Sequence, residues 1–312
     1  MTDKIKIATR GSPLAIAQAN LARDCLIAVA PHMAGAGLIE IVPIRTTGDK
    51  NRTSPLAMIG GKGLFTKEIE EALLENRADI AVHSMKDLPT VLPDGLQIQA
   101  LLPREDPRDA LIAHNTAVKK LEDLPVGASV GTASLRRRAL LLNRRPDIQV
   151  KDLRGNINTR LKKIEAGTFD ATFLAVAGLK RLGLSDKVTR ILDAEEMLPA
   201  VCQGALGLEC RQNDEKICEL LTRVNHPETY SCVEAERAFL KMLDGSCQTP
   251  IGGLAVLNGS KFTFRGLVIR PDGSEKFFIK RDGCAKDSLK ISMAVGAELK
   301  ERAGSKFFSE NN

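Results

Sequence analysis

The 312-residue chain has no tryptophan, one tyrosine and only ten phenylalanines. A protein that stacks bases on aromatic side chains needs more of them, so single-strand nucleic-acid binding is disfavoured. No run of about 18 apolar residues occurs, which argues against a membrane span. Met1 to Arg10 contains no apolar segment of signal-peptide length, so ordinary secretion is not expected. The seven cysteines (25, 202, 210, 218, 232, 247 and 284) form no C-x-x-C pair, and the histidines at 32, 83, 114 and 226 never fall at metal-ligand spacing. A disulfide framework and a metal site both read poorly, leaving a cytoplasmic chain with reduced thiols as the expectation.

What is present suits a soluble globular protein: 43% hydrophobic and 27% charged residues, and a length sufficient for two or three domains with their own cores. Lys4–Thr9 alternates polar and apolar residues as a strand does. Pro13 opens a helix to about Val29, with Leu14, Ala17, Leu21 and Leu26 as its expected apolar face. Further strand-like runs at 38–44, 78–82, 110–113, 129–130, 148–150 and 171–176 alternate with helical segments. That order predicts two α/β units with largely parallel sheets. Beyond Pro227 a helix is followed by strands with turn signals at Asn258-Gly259 and Pro271-Asp-Gly273, then by a last helix, as in a small α+β domain. The expected domains are 1–103 with 200–223, then 104–199, then 224–312.

Charge is uneven. Between Gly131 and Lys163, ten basic residues face only Asp147 and Asp152, a local charge of +8 against +6 for the whole chain. Gly131-Thr-Ala-Ser134 sits at a strand-to-helix turn, where free backbone N–H groups already favour an anion. Arg136 and Arg137 follow in the first helical turn, where they oppose the helix dipole, so helix stability does not explain them. Arg154-Gly-Asn156 repeats the pattern at the next such turn. Corners of this kind, at the carboxyl ends of strands, are where open α/β sheets bind ligands, and arginine suits a polycarboxylate.

Lys86-Asp87 closes another strand at its carboxyl end. An aspartate among cations stays ionised and can hold positive charge developing on a nitrogen. His83 reads as a core or hinge residue. Cys247 lies in the tight loop Leu243-Asp-Gly-Ser-Cys-Gln-Thr-Pro-Ile251, from which a thiol can reach a neighbouring cleft, whereas Cys25, Cys210 and Cys218 read as small buried hydrophobes.

Together these segments resemble the porphobilinogen deaminase (hydroxymethylbilane synthase) family. The matching stretches are Ala8-Thr-Arg-Gly-Ser-Pro-Leu-Ala15, Gly60-Gly-Lys-Gly-Leu-Phe65, Ala81-Val-His-Ser-Met-Lys-Asp-Leu-Pro89, Arg104-Glu-Asp-Pro-Arg-Asp109, Gly131-Thr-Ala-Ser-Leu-Arg-Arg137, Leu153-Arg-Gly-Asn156, Leu174-Ala-Val-Ala-Gly-Leu-Lys-Arg-Leu182, Leu198-Pro-Ala200 with Gln203-Gly204, and Cys247-Gln-Thr-Pro250, in the family's order. The resemblance implies two α/β domains like type II periplasmic binding proteins plus a small C-terminal α+β domain. It further implies a monomeric, cytoplasmic or plastid-type transferase of tetrapyrrole (haem) biosynthesis that joins four porphobilinogen molecules head to tail, with loss of ammonia, and releases hydroxymethylbilane by hydrolysis. The only partner it implies is the small-molecule substrate, with no nucleic acid or membrane.

The implied cofactor is a dipyrromethane primer in thioether linkage to Cys247, and Asp87 matches the catalytic aspartate. Arg10, Ser12, Lys86, Thr132, Ser134, Arg136, Arg137, Arg154 and Arg160 match positions that grip acetate and propionate groups. Gln18, Lys62, Arg181 and Gln203 match positions lining the cleft or its mobile loop. Met58, Ala133, Ser246 and Cys202 stand where many relatives carry Lys, Ser, Gly and Gly.

Overall fold

Serine 12 and proline 13 start the first helix, Pro13–Val29, as the sequence predicts: the Ser12 hydroxyl accepts a hydrogen bond from the Ala15 amide at 3.2 Å, and proline fills the first turn. The computed structural model describes residues 4–35, 37–50, 66–243, 250–304 and 307. The sequence expectations for the Gly60–Gly63 loop, Met58, Lys62, Ser246 and Cys247 lie outside those residues. The helix buries Ala15, Gln18, Ala19, Ala22 and Leu26. The expected apolar face is therefore corrected: Leu26 belongs to it, while Leu21 is 41% exposed. Alanines form the contact stripe and bring the helix close to the sheet.

The chain divides into two compact units, Met1–Glu105 with Ala205–Tyr230, and Asp106–Gly204 with Ser231–Asn312. In the first, five strands lie in the order Ile39–Ile44, Ile5–Arg10, Ile80–Ser84, Leu206–Arg211, Leu96–Leu101. The first three are parallel, whereas Leu206–Arg211 runs antiparallel to both of its neighbours. Alternation along the strands sorts two cores. Ile5, Ile7, Ile80, Val82, Leu206 and Leu208 pack with the Pro13–Val29 helix and with Ile217 and Leu221 of the helix Glu215–Thr222. Ala8, Ala81 and Leu96 pack with Ile69, Ala72 and Leu73 of the helix Lys67–Leu74. Burial of apolar side chains on both faces is the main stabilising term here.

The second unit repeats the plan with strands in the order Gln149–Lys151, Ser129–Gly131, Ala171–Ala175, Asp109–Ala113, Arg190–Ile191. The pairs formed by Ser129–Gly131 are parallel and those formed by Asp109–Ala113 antiparallel. Both five-stranded sheets are thus mixed, not largely parallel, because in each a strand enters from a distant part of the chain in the reverse direction. A separate antiparallel sheet, Ile251–Asn258, Lys261–Ile269 and Lys276–Cys284, belongs to this unit, as does the helix Ser288–Ala303. The Asn258-Gly259 turn falls where the sequence places it, with Asn258 opposite Lys261. Leu254, Leu267 and Ile269 of this sheet share a core with Val130, Leu141 and Phe173, so one core serves both sheets of the unit. Among the described residues, no helix is long and apolar enough to cross a membrane.

Candidate active site

In the first unit a pocket opens at the carboxyl end of Ile80–Ser84. Arg10, Ser12, Gln18, His83, Ser84 and Asp87 line it, with Thr9, Thr66 and Ile69 among the other walls. Four residues expected from the sequence, Arg10, Ser12, Gln18 and Asp87, are thereby brought together from three elements. Asp87 ends a single 3-10 turn, Met85–Asp87, directly after the strand and is exposed. Lys86 precedes it in the same turn. Gln18 and Ser84 bond reciprocally: Gln18 Nε2 donates to Ser84 Oγ at 3.0 Å, and the Ser84 hydroxyl faces Gln18 Oε1 at 3.2 Å.

His83 is buried in the wall of this pocket, with Nε2 2.8 Å from Oε2 of a fully buried Glu209. The two lie on adjacent antiparallel strands and on the face covered by Lys67–Leu74. Glu70 of that helix is held above the usual carboxylate range, first by burial and then by the negative charge of Glu209. Sequence reading missed both glutamates. The available signal for Glu209 was a lone charge among apolar residues in Leu206-Gly-Leu-Glu-Cys210.

The second unit gathers the arginines. Ser134 caps the helix Leu135–Arg144, its hydroxyl accepting from the Arg137 amide at 3.4 Å. Thr132 Oγ1 accepts from the Ser134 amide at 3.1 Å and holds the corner. Arg136 and Arg137 turn inward instead of to solvent and converge on Asp109. Arg136 Nη2 donates to Oδ2 at 2.8 Å, and Arg137 Nη2 to Oδ1 at 2.6 Å. Their other terminal nitrogens donate to the Leu198 and Phe173 carbonyls at 2.7 and 2.9 Å. Gln203 Nε2 donates to Asp109 Oδ1 at 2.8 Å and to the Pro107 carbonyl at 2.7 Å.

Asp109 is fully buried, which by itself would favour its neutral form. The charges of Arg136 and Arg137, with hydrogen bonds from Arg137 and Gln203, outweigh that and hold it well below the usual carboxylate range. Two guanidiniums thus share one carboxylate. The Nε groups of Arg136 and Arg137 are buried with no hydrogen-bond partner. An unsatisfied buried donor costs about 1–3 kcal/mol, so two of them side by side mark a place where an acceptor belongs. Asp109 opens an otherwise apolar strand, Asp-Ala-Leu-Ile-Ala, and that isolated acid was its overlooked signal.

The remaining expected residues stand nearby in the chain but apart in their bonding. Arg154 faces Asp152 at 3.7 Å, and Arg160 Nε donates to the Gly155 carbonyl at 2.8 Å beside the Asn156 cap. Arg181 Nη2 donates to the Gly204 carbonyl at 2.7 Å. Part of the local charge is offset from outside the basic window, by Asp109 and by Glu122 and Glu196, which face Arg144 at 3.5 and 3.7 Å.

Two family models match the chain: "Porphobilinogen deaminase, dipyromethane cofactor binding domain" over residues 5–219, and "Porphobilinogen deaminase, C-terminal domain" over residues 230–302. The porphobilinogen deaminase of Nitrobacter winogradskyi is 53% identical over 303 residues, covering 97% of this chain and 95% of that one. The chloroplastic porphobilinogen deaminase of Pisum sativum is 52% identical over 312 residues, covering 99% of this chain and 84% of that one. Among solved structures, a TRAP periplasmic solute-binding protein from Desulfovibrio salexigens is similar with a TM-score of 0.43 and 11% identity, covering 73% of this chain and 74% of that one.

Proposed function

The chain belongs to the porphobilinogen deaminase family, and from that premise we propose how its side chains divide the work. It is a transferase that condenses four porphobilinogen molecules head to tail, losing ammonia at each step, and releases hydroxymethylbilane with water. A dipyrromethane cofactor, when bound, supplies the nucleophilic ring carbon at which the product grows.

The observation that carries the assignment of the binding residues is the pair of unsatisfied Nε donors on Arg136 and Arg137. Each pyrrole of the cofactor carries an acetate and a propionate, and a carboxylate is the acceptor those donors lack. Asp109 fixes Arg136 and Arg137 in place while neutralising only one of their two charges. Gln203 acts through Asp109, since its amide is spent on that carboxylate and on the Pro107 carbonyl. Ser12 and Ser134 accept from helix amides, which leaves each hydroxyl hydrogen available to a carboxylate. Thr132, Arg154, Arg160, Arg10, Lys86 and Lys62 complete the set of anion-binding positions, and Gln18 lines the pocket wall. Asp87 receives pyrrole N–H groups and holds the positive charge that develops as ammonia departs. Cys247 is the thioether anchor. The enzyme works as a cytoplasmic monomer.

The test is the colour reaction of the purified protein with acidic Ehrlich's reagent, together with porphobilinogen consumption. Wild type gives the dipyrromethane colour and consumes substrate, whereas Cys247→Ser does neither. Arg137→Leu loses colour or turnover. A colourless wild-type protein that leaves porphobilinogen intact overturns the proposal.

A further inference from the structure

We propose that His83 is the proton-exchanging residue of the Asp87 pocket, held in that role by the buried carboxylate of Glu209. The proposal rests on the assignment of Asp87 to the reacting centre. His83 forms part of the wall of the pocket that Asp87 also lines. Its Nε2 is committed to Glu209 Oε2 at 2.8 Å, which fixes the plane of the imidazole and leaves Nδ1 as the nitrogen not so engaged.

The cost of the arrangement is the first argument for a use. Glu209 has no exposure, and its Oε1 has no hydrogen-bond partner. Taking a carboxylate out of water is costly, and a single imidazole contact offsets only part of that cost. An apolar side chain at this register would pack more favourably, as Leu206, Leu208 and Cys210 do on the opposite face. A second carboxyl, Glu70, reaches the same cluster from Lys67–Leu74, and its Oε1 is likewise buried without a partner. Burial and the neighbouring Glu209 favour the protonated form of Glu70. The charged and titratable groups around His83 are thus Glu209 from its neighbouring strand and Glu70 from the covering helix, with Arg10 and Asp87 lining the same pocket. Three proton-binding side chains sit together behind one pocket.

The reaction needs such a group. In each condensation the C–N bond of the substrate breaks and its electron pair leaves with ammonia. A C–C bond then forms to the α-carbon of the acceptor pyrrole, and that carbon loses its proton as its ring becomes aromatic again. The departing ammonia gains one proton and the ring carbon loses one, so no external acid or base is consumed. A residue that takes the second proton and returns it as the first closes the cycle. Asp87 is committed to holding positive charge, and taking the proton would end that task. His83, backed by Glu209, accepts the proton without removing the carboxylate that stabilises the cation.

The experiment compares His83→Gln and Glu209→Gln with wild type, using full-length protein. For both variants kcat is expected to fall by about 100-fold while KM changes by less than about threefold. The acid limb of the kcat–pH profile is expected to disappear in His83→Gln. Glu209→Gln, which keeps the side-chain shape, serves should His83→Gln fail to fold, and its kcat loss then carries the test. A wild-type kcat or pH profile in His83→Gln, or a wild-type kcat in Glu209→Gln, overturns the proposal. A wild-type enzyme that consumes no porphobilinogen would instead overturn the functional assignment itself.

Discussion

Arg137 donates from Nη2 to Oδ1 of Asp109 across 2.6 Å, and neither side chain is appreciably exposed. Arg136 occupies the other carboxylate oxygen, so one buried negative charge serves two buried positive ones. Replacing Asp109 with Asn preserves the shape and removes the charge. Two guanidiniums are then left in the interior without a counter-ion, and breaking a buried pair in this way costs about 3–5 kcal/mol. Urea unfolding of Asp109→Asn should show a loss of that size. A loss under about 1 kcal/mol would mean that solvent reaches the pair.

The same carboxylate sets an acid limit. Asp109 binds its proton less readily in the folded protein than in the unfolded chain, where its ordinary pKa is 3.8. Its contribution is therefore fully present above about pH 4–5 and drains away as pH falls through the lower, folded value. Denaturation midpoints should fall steeply on going below about pH 4. The slope should be shallower in Asp109→Asn, and equal slopes would place the acid sensitivity elsewhere.

Gly273 shows how the C-terminal sheet is seated against the helix Leu135–Arg144. Its φ is +79°, and its carbonyl accepts from Asn143 Nδ2 at 2.8 Å. A Cβ there would lie 2.5 Å from the Asn143 amide nitrogen and 2.8 Å from the Ala139 carbonyl oxygen. Both neighbours are helix backbone and cannot yield cheaply. Gly273→Ala should destabilise the protein by at least about 1 kcal/mol from the left-handed backbone alone, with the collision adding to it. An unchanged thermal midpoint would show that the turn is free to move off the helix.

Asp87 stands on a short turn and is exposed, so its loss should not endanger the fold. Asp87→Asn is expected to keep the wild-type melting curve and the dipyrromethane colour while turnover falls by at least about 100-fold, the scale of losing one well-placed electrostatic group. Steady-state assays alongside the Ehrlich reaction check this. Near-normal turnover would remove Asp87 from the reacting centre.

Local features of the sequence reported faithfully on local structure. Ser12-Pro13 and Ser134 start helices where expected, and Asn258-Gly259 turns a hairpin, because capping and turn chemistry act within a few residues. The unusual 132–137 corner was legible for the same reason, as a run of basic residues in the wrong place for helix stability, although the buried acid that holds two of them was not. Long-range pairings were not legible. Asp109 meets Arg137 across 28 positions and Glu209 meets His83 across 126, and no local pattern encodes which acid finds which base. Strand direction failed likewise: Leu206–Arg211 runs antiparallel between strands formed more than 100 residues earlier. The small-residue stripe of Pro13–Val29 escaped notice because alanines carry little hydrophobic contrast.

The central claim is that a cysteine-anchored dipyrromethane is the platform on which this chain assembles its product. Intact-protein mass spectrometry tests it most directly. The purified enzyme should be heavier than its sequence by one dipyrromethane, should lose that increment in Cys247→Ser, and should gain discrete single-pyrrole steps on brief exposure to porphobilinogen. An active enzyme with the bare sequence mass, or an increment that survives Cys247→Ser, would contradict it.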